Sequence, residues 1–213
     1  VTRVPMASPT VKIPARVDKN HQTSVSGGFK VYRRAETQTV ESSRVEFEQI
    51  QLDATPLMGK AYATEEILLD SVISFVALIE AGFRDEFAAR LLDERLWGTG
   101  AGEFLGVLKS PCLVTVPKEG TQDPDTILGA NIQKMRQRAW RYGNCVWIAN
   151  HDTYDQLSTA HLSGTHGDVF LFSPGNGVDV PTTLLGRPIV FSEYAATVGD
   201  LGDLVLGDWS QFL

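Results

Sequence analysis

From Thr64 to Trp97 the chain runs without a proline and with a single glycine, Gly82. Such a stretch has one economical fold, a helix about 50 Å long at 1.5 Å per residue, well beyond the usual helix of a compact domain. Thr64 is placed to cap it, its hydroxyl accepting from a first-turn N–H. Glu65 and Glu66 follow where the helix dipole favours acids. Gly98, Gly100 and Gly102 stop it. Ile67 to Ile79 is apolar or serine except at Asp70, which predicts burial on most sides. Beyond Gly82 the pattern is amphipathic, with Phe83, Phe87, Leu91 and Leu92 on one stripe. Glu80–Arg84 and Glu86–Arg90 have the spacing of favourable pairs on the wet side. A rod buried at its start and solvated at its end reads as a strut between packed bodies.

The segments before and after this rod differ in kind. Thr10–Pro14, Phe29–Arg34 and Val45–Leu52 read as strands, with a break in alternation at Gln49 that predicts a bulge or a change of face. Polar runs separate them, and large apolar side chains are few. A ribbon of this composition lacks independent stability and needs a partner surface. After Lys109 come a short strand, Pro111–Val116, and a helix from Pro124 to Trp140. Cys145–Ala149 is a continuous apolar strand, hence central. Asn150 caps a short helix to Ala160. A glycine-rich loop spans 161–179, and Leu184–Phe191 and Asp203–Leu206 form two more strands. The layout is α+β, a mixed sheet flanked by helices.

The chain has 213 residues, 43% hydrophobic, with a net charge of −7. That is ample for a core, and it argues against a sequence-independent nucleic-acid binder with a basic stripe. Cys112 and Cys145 lack motif spacing and read as free thiols in a reducing compartment. No apolar run is long enough to span a membrane. Gly98–Gly102 follows a helix instead of opening one and lacks the Lys-Ser/Thr ending of a phosphate loop. His161, His166 and Asp168 match no zinc spacing. Asp152 and Asp155 are helix-start acids. No set of residues assembles an active site, so neither catalysis, a cofactor nor a metal is expected. Positive charge gathers instead on Arg16, Lys19, Lys30, Arg33 and Arg34, and acids on the long helix, among them Glu80 and Glu86. Opposite charges on separate surfaces suit self-association.

Several short motifs recur in an order that resembles a known family. Gly27-Gly-Phe29 precedes a strand ending Ala35-Glu36. Phe47-Glu-Gln-Ile-Gln-Leu52 leads to Lys60-Ala-Tyr-Ala-Thr-Glu-Glu-Ile-Leu-Leu-Asp70. Leu96-Trp-Gly-Thr-Gly-Ala-Gly precedes Phe104-Leu-Gly-Val-Leu108. Ala130-Asn-Ile-Gln-Lys-Met precedes Val146-Trp-Ile-Ala-Asn150, and Leu184-Leu-Gly-Arg-Pro-Ile-Val precedes Gly202-Asp-Leu-Val-Leu-Gly-Asp208. In order and spacing these resemble the major capsid protein of tailed bacteriophages, of the Hong Kong 97 type. The resemblance implies a capsid fold with a long spine helix, an extended-loop ribbon that projects over a neighbour, and an axial domain. It divides the chain into an N-terminal remnant (1–9), the extended loop (10–44), the peripheral domain with its spine helix (45–108) and the axial domain (109–213). Thr64, Gly98, Gly100, Gly186, Pro188 and Asp208 become positions with structural roles.

It also implies pentamers and hexamers of one chain in an icosahedral shell around double-stranded DNA, built in the host cytoplasm. Scaffolding, portal and decoration proteins are its possible partners, and no membrane is involved. An N-terminal arm and returning peripheral strands belong to the family pattern, so this chain reads as a trimmed part of a longer protein. Isopeptide cross-linking is not carried over to Lys19 or Lys30. The alternatives are an encapsulin-like nanocompartment shell and a small α+β enzyme.

Overall fold

The structure is a computed structural model and describes residues 5–16, 29–33, 42–43, 47–62, 75–164, 167–175 and 182–212. The chain forms two units, one spanning Val4–Pro56 and the other running from Leu57 onward. In the first unit, β1 (Thr10–Arg16) pairs antiparallel with β2 (Phe47–Asp53). The register is continuous from Thr10↔Asp53 to Arg16↔Phe47. The break at Gln49 is therefore a change of face without a bulge. Val11, Ile13 and Ala15 share one face with Leu52, Ile50 and Glu48, while Phe47 falls on the polar face with Gln49 and Gln51. Pro14 does not end β1 as expected. A two-stranded ribbon gives each strand an outer edge, and a proline there forfeits no ladder bond. Thr10 Oγ1 donates to Asp53 Oδ1 (2.8 Å) and closes the ribbon's polar end. Phe29–Arg33 is irregular and exposed, not the strand its alternation predicted. With Val31 almost fully exposed, the segment has no face to bury.

In the second unit, α1 (Phe75–Trp97, 23 residues) is the described part of the predicted rod. Thr64, its expected cap, lies outside the described residues. Gly59 lies against the rings of Phe83 and Phe87, so the strap at 57–62 covers the expected apolar stripe. Of the stretch expected to be buried on most sides, Ile67 to Ser74 lie outside the described residues, and the described part is not so buried. Val76 and Leu78, in the apolar first half, are 53% and 63% exposed. Leu96, in the last turn, is buried. The body of the second unit packs onto the other end of the helix.

That body is a five-stranded sheet in the order β6-β7-β8-β3-β9. β3 (Val146–Ala149) is central, as its apolar run predicted, parallel to β8 (Arg187–Phe191) and antiparallel to β9 (Leu204–Gly207). Period-two alternation turns Trp147 and Ala149 inward, beside Ile189 and Leu204, onto a core with Ile132 and Leu157. Ile132 comes from α2 (Gly129–Arg138) and Leu157 from α3 (Tyr154–Thr159). α2 is shorter than the predicted 124–140 span. Asp125 sits at φ 56°, which breaks any helix, and Asn131 Oδ1 accepts from Leu128 N to cap the true start. Asn150 caps as expected, Oδ1 accepting from Asp152 N (3.1 Å).

Two expected elements divide. The 161–179 loop contains a hairpin of β4 (His161–Gly164) and β5 (Gly167–Phe170), followed by β6 (Phe172–Ser173). The strand expected over 184–191 is a hairpin of β7 (Thr183–Leu184) and β8. Leu185 (φ 49°) and Gly186 (φ 74°) form its two-residue turn, both left-handed as such turns require. Pro188 is tolerated because β8 pairs with β3 only from Ile189 onward. The strand expected at Pro111–Val116 does not form.

Gly98 sits where two stretches of backbone come close together. A Cβ there would collide with the backbone carbonyls of Phe104 and Glu94. Gly98→Ala is expected to cost about 1–3 kcal/mol, read as a lower midpoint in chemical denaturation at unchanged slope.

Candidate functional site

Among the described residues no group of three His, Cys, Asp or Glu side chains is placed to hold a metal ion. His161 lies in β4, His166 is outside the described residues, and nothing is described of the Asp168 side chain. Cys145 is buried, its thiol near the carbonyls of Trp140 (3.6 Å) and Arg141 (3.7 Å). Burial pushes that thiol up, away from the reactive thiolate. Among the described residues no helix is long and apolar enough to cross a membrane. The described residues present exposed surfaces, together with the joints that hold them.

The main joint is the end of α1. Gly98 N donates to Glu94 O (2.8 Å), and Gly106 N returns to Gly98 O (2.8 Å). Gly100, at φ +80°, donates to Phe104 O (3.2 Å). The result is a closed loop, 98–106, that carries Phe104 and Leu105, both about half exposed. Arg90 locks it to the helix. Its guanidinium reaches Glu94 (2.9 Å), Asp93 (3.2 Å) and, across the loop, Glu103 (3.1 Å). The expected Glu86–Arg90 pair is thus displaced by three acids at the helix end. Among the described residues Glu80, Arg84 and Glu86 form no ion pair. Glu103 Oε1 also accepts from Thr99 N (2.8 Å) and Thr99 Oγ1 (2.9 Å).

Trp97 turns the other way. Its indole N–H donates to Tyr194 O (2.9 Å), and its ring lies with Leu108 against Gly202, which at φ +102° has no side chain to intrude. Asn150 Nδ2 donates to Ala195 O (2.6 Å) in the buried floor beside this joint. Sequence reading missed Arg90, Trp97 and Tyr194 as a group. The only available signal was the density of charge from Arg90 to Glu103.

The remaining singled-out residues are scattered. Lys30 and Arg33 are exposed in the first unit. Arg16 ends β1 opposite Phe47 with its side chain undescribed, and Lys19 and Arg34 lie outside the described residues. Glu80 and Glu86 are exposed on α1. Asp208 caps the turn 209–211, Oδ1 accepting from Ser210 N (3.1 Å) and Ser210 Oγ (2.7 Å), and the Ser210 hydroxyl holds this carboxyl below its usual range.

The Thr99 hydrogen bonds, with help from Arg90, lower Glu103 below the ordinary glutamate range. A carboxylate lowered on folding stabilises the fold above its unfolded pKa, and that contribution is lost as pH falls through the folded value. Loop 98–106 is expected to loosen on acidification below about pH 4.5. The protection factor of the Thr99 amide, its exchange corrected for the intrinsic pH dependence, should then fall, whereas in Glu103→Gln it should already be low at pH 7.

Comparison with known proteins bears on this arrangement of helix, ribbon and sheet. Two solved structures share the fold, each covering 97% of this chain and 70% of their own at a TM-score of 0.68. One is the capsid of an empty GTA (gene transfer agent) particle, 15% identical, and the other that of the native GTA particle, 14% identical, both computed with C5 symmetry. A sequence comparison with curated proteins finds no match. The profile of the phage capsid family matches residues 1–213. With its α+β fold and a match over its whole length, the chain belongs to the phage capsid family.

Proposed function

We propose that this chain is the shell-forming part of a major capsid protein of a tailed bacteriophage or prophage, assembling in the host cytoplasm into an icosahedral head around double-stranded DNA. The observation that carries the reading is the state of α1. A member of a capsid family leaves Val76 and Leu78 in water on a long helix, although full burial of such a side chain is worth about 1.5–3 kcal/mol. A neighbouring copy in the shell is the cover we assign to them. The capsids of similar fold were computed with C5 symmetry, which supports rings of one chain as the unit of assembly.

Within that reading α1 is the spine of a peripheral domain and the sheet of β3, β6, β7, β8 and β9 is the axial domain. The β1–β2 ribbon is the extended loop, whose boundary we set at Pro56, where the first unit ends, and not at residue 44. Its apolar face of Val11, Ile13, Ile50 and Leu52 suits the bare half of a neighbour's α1. Lys30 and Arg33, with Arg16, Lys19 and Arg34, bring the cations, and Glu80 and Glu86 the anions, that set the register between copies. Gly98, Gly100, Gly186, Pro188 and Asp208 serve the fold of each copy, with Thr64 as the cap of the spine. Phe104 and Leu105, held firm by Arg90 and Glu103, offer a second contact. Scaffolding, portal or decoration proteins would meet the finished surfaces. The family and fold favour a structural protein over an enzyme.

The full-length protein expressed alone is expected to form closed particles by electron microscopy. A strictly monomeric product by light scattering would overturn the reading, and particles filled with a protein cargo in place of DNA would favour the encapsulin-like alternative. Lys30→Glu with Arg33→Glu is expected to raise the concentration needed for assembly about tenfold, equivalent to roughly 1.4 kcal/mol per contact. Adding Glu80→Lys and Glu86→Lys should restore it in part, as turbidity at low salt would report.

A further inference from the structure

Among the described residues β9 pairs only with β3, which leaves the sheet of the second unit open along its other edge. A groove of about 670 Å³ runs beside it. Every residue of β9 lines this groove, from Leu204 to Gly207. Successive residues of a strand point to opposite faces, so a groove that touches all of them follows the strand's edge, not one of its faces. Every residue from Cys112 to Lys118 also lines the groove, as do Asn131, Met135 and Arg138 of α2.

The first of these stretches is the segment whose composition predicted a strand. Cys112-Leu-Val-Thr-Val116 is rich in β-branched residues, and Pro111 and Pro117 bound it. Among the described residues, the N–H groups of Val114, Thr115 and Val116 have no backbone partner. Both ends are tied. Leu113 N donates to Ser110 O (3.1 Å) just after buried Leu108, and beyond Pro117 the buried Gln122 holds Thr126 O and accepts from Glu119 N (2.9 Å). A strand-forming segment anchored at both ends, with no backbone partner between them among the described residues, thus shares one groove with a strand edge.

We propose that Cys112–Val116 is a strap that closes onto β9 as a sixth strand of the sheet. The structure holds its open state. Closure would give Val114 or Val116 a ladder partner and hide the edge of β9, which is otherwise a template for pairing with foreign strands. Closure is a property of the single chain and does not depend on shell assembly.

The native thiol of Cys112 supplies the test, since it is exposed and lies on the strap. Cysteine is placed singly at Leu204, Val205, Leu206 and Gly207, and each chain is oxidised in a glutathione buffer and mapped by mass spectrometry without reduction. Neighbouring strands bring Cα atoms within disulfide reach only for side chains on the same face. The expected result is a bridge to Cys112 at alternate positions, about tenfold above the intervening ones, and none when Cys112→Ser is added. No bridge at any position would overturn the proposal, as would equal bridging at all four, or a bridge from Cys112 to native Cys145 in the unsubstituted chain. Gly207, where a Cβ meets only ordinary contacts with Trp209, and half-buried Leu206 lie on opposite faces. That pair alone still reads the alternation if cysteine at buried Leu204 or Val205 prevents folding.

Discussion

The second unit depends on how one end of α1 is seized. A helix of 23 residues cannot be held by its own hydrogen bonds alone, because most helical stability in proteins comes from tertiary packing. Here the packing is concentrated in the last two turns. Arg90 gathers Asp93, Glu94 and Glu103, and Leu96 is buried. Trp97 reaches nearly a hundred residues along the chain to the carbonyl of Tyr194. Gly98 and Gly202 make this possible by having no side chain where two backbones, or a backbone and an indole, must meet. Isolated surface ion pairs are worth little, but a guanidinium shared among three carboxylates, one of them buried, fixes the geometry of a loop as well as its charge.

Elements specified by local chemistry were legible in the sequence. The helix stop at Gly98, the central strand at Val146–Ala149 and the Asn150 cap each rest on a few neighbouring residues, and each stands where expected. The fold class and the family were legible too, because many weak motifs in a fixed order constrain a chain more than one strong motif. Where the sequence misled, a long-range partner decided. Val114 and Val116 have strand propensity, but propensity cannot supply a neighbour at hydrogen-bond distance. Leu185 is a poor residue for a left-handed turn, so the β7–β8 hairpin was read as one strand. Tyr142 stabilises that turn from 43 residues away by donating to Leu185 O (3.0 Å).

The charged residues illustrate the same limit. Spacing along a helix predicted Glu86–Arg90, yet Arg90 has a choice of acids within reach and takes those that also close a loop. The burial of α1 was misjudged for a related reason. Hydrophobic pattern says which face of a helix avoids water, but not whether the cover belongs to the same molecule. Val76 and Leu78 face water, whereas Leu96 at the other end of the helix is buried in the chain's own body.

The bare flank at Val76 and Leu78 leaves part of the folding free energy outside the polypeptide. Whatever ligand covers it binds the native state and not the unfolded chain, and so adds stability by mass action in proportion to the logarithm of its concentration. A chain built in this way has no single intrinsic melting point. If the cover is a further copy of the chain, as proposed above, robustness rises with how crowded the chain is with its own kind, and dilution alone weakens it.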